Sequence, residues 1–241
     1  MTIKLVVTGG TGLVATELIR QGLQLPQITT LVVLSRKPVA VPAGTEANKL
    51  KQVLIGDYGE YPDHARRELA GADACIWTVA ITPTKSKAHD FAEVRRVCHT
   101  STLAGFQAMV DSQPNTPFRF LYISGSAAER DQTKQPRPAS MAPYMLMRGE
   151  TETAVLEMAR RYLYAGVAAA VVKPGLITSH VSIGRSVWGT ALRFTNLATN
   201  VTVQEVAAAM LRQVVDGFEQ ETLENDDLRR IGRAALEDRC S

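Results

Sequence analysis

The chain has 241 residues, of which 45% are hydrophobic and 21% are charged, an ordinary composition for a soluble globular protein. A chain of this length buries on the order of 70% of its unfolded surface, so its fold needs no disulfide or metal ion to hold it together. The formal net charge of +3 is weak and dispersed, which argues against a nucleic-acid-binding protein.

Cysteines and histidines are few and widely spaced. Cys75, Cys98 and Cys240 are odd in number and form no disulfide framework, which favours a reducing compartment. The four histidines form no pair at metal-ligand spacing, so no metal site is expected. No apolar run reaches the ~18 residues of a membrane span, and the N-terminus resembles a strand, not a secretion signal. We therefore expect a cytoplasmic protein that binds neither membrane nor nucleic acid.

Strand-like and helix-like segments alternate along the chain. Short apolar runs predict strands, and longer runs with apolar residues every three or four positions predict helices. Such alternation is typical of a parallel sheet covered by helices, so the predicted class is α/β, a Rossmann-type doubly wound sheet. The predicted elements, in chain order, are strand 3–7, helix 12–25, strands 30–34 and 52–55, helix 63–70, strand 74–79, helix 89–110, strand 118–123, helix 144–164, strand 167–172 and helix 204–218.

The chain shows no internal repeat, and the proline-rich stretch 132–143 is predicted to be a loop, since the strand–helix rhythm continues on both sides of it. We expect a single domain over 1–241, with a small substrate-side segment at about 176–241. Within that segment, residues 180–199 mix apolar side chains with a few polar groups, as the lid of an apolar pocket would. Packing in the core would explain the same residues.

A glycine-rich turn joins the first predicted strand to the first helix. Gly9, Gly12 and Ala15 give the spacing G-x-x-G-x-x-A. Gly9 permits a tight turn, Gly12 lets a pyrophosphate approach the free N–H groups of the helix, and Ala15 allows close packing. A Walker A loop is excluded because no Gly-Lys-Ser/Thr follows. A purely structural turn is the alternative; otherwise the predicted dinucleotide contacts are Thr8, Gly9, Thr11, Gly12 and Leu13.

The end of the second predicted strand indicates which dinucleotide binds. An acidic residue here commonly accepts from the ribose hydroxyls of NAD, but this chain has Ser35-Arg36-Lys37. The planar guanidinium of Arg36 can grip a 2′-phosphate, and Ser35 and Lys37 can add donors. The predicted cofactor is therefore NADP, with a surface Arg-Lys pair as the alternative interpretation.

Further cofactor contacts follow from topology, because ligands of such sheets bind at the carboxyl ends of the strands. Asp57, after the third predicted strand, is placed to accept from the adenine amino group. Thr78, Val79 and Ala80, after the fourth, would run beneath the pyrophosphate and ribose.

A tyrosine and an arginine begin the long helix after the fifth strand. Tyr144 and Arg148 are four residues apart and therefore share one helix face. A phenol can donate a proton to a carbonyl being reduced, provided that a cation lowers its pKa of ~10, and a hydroxyl of Ser124 or Ser126 can position that carbonyl. The alternative is a tyrosine that only packs against the domain.

These motifs resemble the short-chain dehydrogenase/reductase superfamily, whose signatures are a glycine-rich turn, a serine after strand five and Tyr-x-x-x-Lys. Within it the chain looks most like the atypical branch of Tat-interacting-protein-type oxidoreductases and NmrA-like proteins. The resemblance implies a Rossmann fold, an NADPH site and a Ser-Tyr-Lys catalytic set. The segments that carry it are 8–18, 33–37, 120–128, 144–157, 172–176 and 221–225.

Two positions depart from the family pattern. The family lysine is Arg148, which keeps the charge but not the compact ammonium. The usual pair of serines is split by Gly125, and of Ser124 and Ser126 we expect the second to lie nearer the substrate. The basic-Pro-Gly turn of the family is present, which implies nicotinamide contacts from Pro174, Gly175, Leu176 and Ile177.

Three functions are compatible with this pattern. The first is an NADPH-dependent oxidoreductase that reduces a small, largely apolar carbonyl or unsaturated compound. The second is an isomerase or cyclase on the same scaffold, in which Tyr144 is an acid and NADP is structural. The third is a regulatory protein that senses NADP and binds a protein partner. For the enzyme, the predicted partners are a small-molecule substrate and, as an open alternative, a second copy of the chain in a homodimer.

Overall fold

The computed structural model describes residues 2–42, 44–179 and 200–239. Its centre is a seven-stranded, fully parallel sheet with the order β3-β2-β1-β4-β5-β6-β9, and β7 pairs with β8 in a separate two-stranded sheet. This order confirms the predicted Rossmann-type α/β fold. The strands are β1 (Ile3–Thr8), β2 (Ile28–Ser35), β3 (Leu50–Leu54), β4 (Ala74–Trp77), β5 (Phe118–Ile123), β6 (Val167–Lys173), β7 (Ile177–Thr178), β8 (Val201–Thr202) and β9 (Thr222–Glu224).

Helices cover both faces of the sheet. The predicted helix over 89–110 is present in three parts, because a π-helical turn at Arg96–Thr100 joins α4 to α5. Such turns are rare inside helices and are frequent at functional sites. The helices are α1 (Leu13–Gly22), α2 (Asp63–Leu69), α3 (Pro83–Ser86), α4 (Phe91–Arg95), α5 (Ser101–Asp111), α6 (Ala142–Arg161), α7 (Val203–Asp216) and α8 (Asn225–Glu237).

The central strand β1 shows why the sheet is buried on both sides. Leu5 and Val7 pack among residues of α1, α7 and α8, whereas Val6 points to the other face and packs among residues of α2, α5 and α6. All three side chains are fully buried. Because both faces are covered, the strand has a continuous apolar sequence in place of an alternating one. The carboxyl ends of β1 and β4, where the chain order reverses, open the crevice in which such folds bind ligands.

The chain after residue 202 belongs to the main sheet and its covering layer. Leu223 of β9 pairs with Val172 of β6, while Met210 and Leu211 of α7 are buried in the same core as α1. Within the segment expected over 176–241, residues 203–237 complete the sheet and its cover with their apolar faces, and a substrate-side role of the segment stays a prediction. The predicted lid at 180–199 lies outside the described residues, as does Cys240.

Across the described ranges, no helix has the length and apolar character that a membrane crossing requires.

Helix α7 begins with a reciprocal cap that we expect to stabilise the fold measurably. The backbone N–H of Glu205 donates to Thr202 Oγ1 at 3.2 Å, and the backbone N–H of Thr202 donates to Glu205 Oε2 at 2.8 Å. Thr202→Ala removes the first bond, so we expect the free energy of unfolding in urea to fall by ~1 kcal/mol. Thr202→Ser is the matched control and should retain most of the stability. Equal stability of the alanine and serine variants would contradict this role.

Candidate active site

The glycine-rich turn is shaped by close backbone contacts. Gly9 has a positive φ of +74°, and a Cβ at this position would lie 2.7 Å from Thr78 Oγ1. A Cβ on Gly10 would overlap the side chains of Val33 and Val39. The turn thus requires glycine both for its conformation and for its packing. It also leaves no side chain between the backbone and the crevice.

The N-terminus of α1 is open to an anion. Gly12 is the N-cap residue and supplies no side-chain cap, and the first turn of the helix contains no acidic residue. Thr11 and Leu13 are both exposed beside it. Uncapped N–H groups and the helix dipole together favour a phosphate at this position.

Hydrogen bonds join the ends of β1 and β4 below this turn. Thr8 is buried, its Oγ1 accepts from the backbone N–H of Thr78 at 3.1 Å, and its carbonyl accepts from Thr78 Oγ1 at 2.5 Å. Val79 is buried and Ala80 half-buried just beyond. Thr8 and Thr78 therefore hold the crevice together, and their hydroxyls are already engaged.

The predicted 2′-phosphate site is only partly available. Arg36 and Lys37 are exposed at the end of β2, but Ser35 is buried and its hydroxyl donates to the Lys37 carbonyl at 2.7 Å. The expectation that Ser35 offers a free donor is therefore wrong, since the turn uses that hydrogen. Arg36 and Lys37 remain the groups that can meet a phosphate.

Asp57 lies close to this region and is also engaged. Its carboxylate accepts from the backbone N–H of Gly59 and from Arg96 Nη1, both at 2.7 Å. These bonds, with the nearby charge of Arg36, lower the pKa of Asp57. Arg96 reaches Asp57 from the π-helical turn, and the sequence offered no sign of this pairing.

Tyr144 lies in the first turn of α6, and its hydroxyl donates to the Ile81 carbonyl at 3.0 Å. Ile81 directly follows Ala80, so the phenol lies beside the chain that is predicted to contact the cofactor. Burial raises the pKa of Tyr144, and the opposing effect of Arg148 does not outweigh it. The expectation of a lowered pKa is therefore wrong for this state of the protein, and Tyr144 is a protonated donor.

Arg148 is buried, with 4% of its surface exposed. Its Nη2 donates to the Ile123 carbonyl at 2.7 Å, and its guanidinium lies 5.0 Å from the centre of the Tyr122 ring. Its Nη1 has no hydrogen-bond partner within the described part of the chain. The residue at the family lysine position thus keeps one unused donor.

The next helical residue, Gly149, explains how α6 approaches so closely. A Cβ there would overlap the carbonyl of Glu129, so only glycine lets the helix pack against this loop.

A buried carboxylate, Glu152, organises the serine after β5. Ser124 Oγ donates to Glu152 Oε1 at 2.5 Å, Arg130 Nε donates to Oε2 at 2.7 Å, and Lys173 Nζ lies 3.5 Å from Oε2. Arg130 Nη2 also donates to Thr222 Oγ1 at 2.9 Å. Sequence reasoning missed Glu152 and Arg130. The one available signal was that Glu152 lies one turn after Arg148 on the same helix.

The side chains around Tyr144 enclose a cleft of about 460 Å³. Ser124 lines this cleft, whereas Ser126 is exposed and lies outside its lining. The backbone N–H of Ser126 donates to the Pro174 carbonyl at 2.9 Å, and the expectation that Ser126 is nearer the substrate stays a prediction. The lining residues are Pro83, Thr84, Lys87, Ser124, Gly125, Ala127, Ala128, Met141, Tyr144, Met145 and Arg148.

The basic-Pro-Gly turn lies at the carboxyl end of β6. Pro174 is buried, the backbone N–H of Gly175 donates to Asn225 Oδ1 at 2.8 Å, and Leu176 is exposed. Ile177 enters β7. The turn is thus anchored to the start of α8 and lies at the carboxyl edge of the sheet, and its contacts with a nicotinamide stay a prediction. No group of three or more metal-binding side chains occurs within residues 2–42, 44–179 and 200–239.

Comparison with known proteins gives one curated relative. The chain is 26% identical over 121 residues to the leucinostatins biosynthesis cluster protein T of Purpureocillium lilacinum. This match spans 49% of the chain and 42% of the relative, so it covers less than half of that protein's length. No protein-family model matches the chain.

Solved structures are similar over nearly the whole chain. DesIV, a dTDP-glucose 4,6-dehydratase from Streptomyces venezuelae solved with NAD and TYD, is 17% identical; the match covers 99% of this chain and 82% of that one, with a TM-score of 0.66. A 3-oxoacyl-[acyl-carrier protein] reductase from Brucella melitensis is 16% identical over 96% of this chain and 98% of that one, also with a TM-score of 0.66. These similarities confirm the predicted Rossmann-type fold.

Proposed function

We propose that this protein is an NADPH-dependent oxidoreductase of the short-chain dehydrogenase/reductase type that reduces a small, largely apolar carbonyl or unsaturated compound. The observation that carries the proposal is the position of Tyr144. Its hydroxyl lies beside the chain that follows β4, and its ring lines the same cleft as Ser124 and Arg148. A proton donor, a second hydroxyl and a buried cation thus line one cleft, beside the chain that follows β4.

The residues present fit a nicotinamide dinucleotide. Gly9 and Gly10 leave a cradle that a Cβ would fill, the α1 N-terminus is uncapped, and Arg36 and Lys37 stand where a 2′-phosphate would come. The turn from Pro174 to Ile177 would lie against the nicotinamide. When bound, the reduced cofactor supplies a hydride.

The chain's own residues would handle the proton and the developing charge. Tyr144 is protonated, so it can release its bond to Ile81 and donate to an oxygen in the cleft. The Ser124 hydroxyl donates its hydrogen to Glu152. Its lone pairs can therefore accept a hydrogen bond from a donor group of a ligand in the cleft. The positive charge of Arg148 would favour negative charge in the cleft as the reaction proceeds.

Oxidation of NADPH in the presence of a panel of aldehydes, ketones and enones tests the proposal. We expect turnover with an apolar member of the panel and stoichiometric loss of the nicotinamide absorbance at 340 nm. Binding of NADPH without turnover of any member would favour the regulatory alternative, for which an NADP-dependent protein partner would be sought.

One observation favours a second candidate, an isomerase or cyclase. Arg148 is fixed by the Ile123 carbonyl and the Tyr122 ring, so it lacks the mobility of the family's lysine. In that case Tyr144 would still donate a proton, while product would form with no change in NADPH. Measuring product and nicotinamide absorbance in one assay separates the two candidates.

Arg36→Ala tests the choice of cofactor. A charged hydrogen bond contributes about 1.5–3 kcal/mol, so this variant should bind NADPH about 10- to 150-fold more weakly and NADH nearly as before. Isothermal titration with both dinucleotides measures the change. Lys51→Ala, which removes an exposed cation from β3, is the matched control. Equal affinity of the unaltered protein for NADPH and NADH would contradict the preference.

The cytoplasmic location and the homodimer stay predictions, as does the single domain over 1–241.

A further inference from the structure

The unused donor of Arg148 marks a place for an anion. A buried guanidinium without a carboxylate partner is costly, and the aromatic face of Tyr122 compensates for only part of that cost. Among the described residues Arg148 forms no ion pair within 4 Å, and its Nη1 has no acceptor. Since Arg148 also lines the cleft, a ligand in the cleft can supply the missing acceptor.

The surrounding charges have the same sign. Arg130 and Lys173 already share the single buried carboxylate of Glu152, so little negative charge is left for Arg148. Lys87 lines the cleft as a second cation, and no acidic residue occurs among the described residues of the lining. The field inside the cleft is therefore positive, which favours an anionic ligand group.

The hydroxyls of Ser124 and Tyr144 have no free hydrogen with which to bind an anionic group. Ser124 donates its hydrogen to Glu152, and Tyr144 donates its own to the Ile81 carbonyl. Both hydroxyls therefore present lone pairs, which would repel a carboxylate oxygen placed against them. In the ground state of the cleft, the Nη1 group of Arg148 is the buried donor that remains available.

Apart from Thr84, which is exposed and whose hydroxyl pairs with that of Thr82 at 3.2 Å, the rest of the described lining is apolar. Pro83, Ala127 and Ala128 offer small or rigid surfaces, and Met141 and Met145 offer flexible ones. Methionine side chains adapt to ligands of irregular shape. A ligand that fills this space must be largely hydrocarbon.

We infer that the cleft binds an apolar carboxylic acid, a hydrocarbon body ending in a carboxylate that pairs with Nη1 of Arg148 and is attracted by Lys87. This inference rests on the proposed function, because it narrows the substrate class of the same site to apolar molecules that carry an acid group. It also gives Arg148 a reason to differ from lysine, since a planar guanidinium can hold Ile123 and a carboxylate at once.

Octanoate and octanamide, which match in length and shape but differ in charge, provide the test. Isothermal titration is performed with the free protein and with the protein saturated with NADP. We expect octanoate to bind at least about tenfold more tightly than octanamide in both. Arg148→Gln should abolish this preference and Lys87→Gln should reduce it. Lys85→Gln, in α3 and two residues before Lys87 but outside the lining, should leave it unchanged.

Each outcome of these titrations either supports the inference or overturns it. Equal affinity for octanoate and octanamide in the unaltered protein overturns the inference, and it does so even if Arg148→Gln fails to fold. A preference that survives Arg148→Gln indicates a different cationic site and also overturns it, as does weaker NADP binding by Arg148→Gln with the octanoate preference intact. Failure of the proposed function is separate: it would appear as absent NADPH binding or turnover while the octanoate preference persists in the free protein.

Discussion

Tyr144→Phe is expected to lower turnover by at least ~100-fold on any substrate, because a phenol acting as general acid commonly contributes 10²–10⁴-fold of rate. The substitution removes one hydroxyl and its bond to the Ile81 carbonyl while the ring still fills the wall of the cleft. The fold and the affinity for NADPH should therefore survive. Steady-state turnover, dinucleotide titration and thermal unfolding measure the three quantities.

Tyr162→Phe is the matched control, since Tyr162 is the C-cap residue of α6 and its hydroxyl donates to Gln107, away from the cleft. It should leave turnover unchanged. Full activity of Tyr144→Phe would show that the tyrosine is structural and would remove it from both the oxidoreductase and the isomerase mechanism.

The dependence of the reductive rate on pH also tests Tyr144 as the proton donor. Burial raises the pKa of Tyr144 above the ordinary value of a phenol, so the group stays protonated through neutral and mildly alkaline pH. The reductive rate should then show no loss from this group between pH 7 and pH 9. A decline in that range that Tyr144→Phe abolishes would mean that the phenol ionises there and that its pKa is lowered when ligands bind.

Glu152→Gln is expected to cost about 3–5 kcal/mol of stability, since removing one member of a buried ion pair leaves its partners uncompensated. Arg130 and Lys173 would lose the carboxylate that they share, beside the already unpaired Arg148. The glutamine side chain can still accept the hydrogen bond from Ser124. The loss of stability therefore measures the missing charge more than a missing hydrogen bond. Urea unfolding monitored by circular dichroism gives the free energy of unfolding.

Glu157→Gln removes an exposed carboxylate from the same helix and serves as the control, with an expected change within ~0.5 kcal/mol. If the two variants were equally stable, the cluster around Glu152 would be neutral to the fold, and the positive field inferred for the cleft would lose one of its supports.

Local sequence patterns account for most of the sheet. The strand predicted at 118–123 matches β5 to the residue, because a strand buried on both faces is mostly apolar and only Arg119 interrupts it. The three-residue strand β9 was missed because its position depends on pairing with β6, far away in the chain. A periodicity argument cannot detect a strand that is shorter than one full alternation.

The site was predictable in outline and not in its hydrogen bonds. Tyr144 and Arg148 follow from their spacing, but the use of Ser124 depends on the buried Glu152, and the loss of Ser35 as a donor depends on a turn at Lys37. Both hydrogen bonds depend on which acceptor lies next to the hydroxyl in the folded chain. The choice between Ser124 and Ser126 likewise depends on how the segment turns after β5, which a sequence pattern does not show.

The position of β9 has a consequence for the order in which the chain folds. Its neighbour β6 is parallel to it, so the link between them cannot be a tight hairpin and instead passes through α7. Until Thr222–Glu224 arrives, β6 has an unpaired edge, and such edges recruit strands from other molecules. The same arrival brings Thr222 to Arg130. The addition of β9 to the sheet therefore also forms the hydrogen bond from Arg130 to Thr222. A nascent chain that still lacks β9 presents the bare edge of β6 and is prone to aggregate.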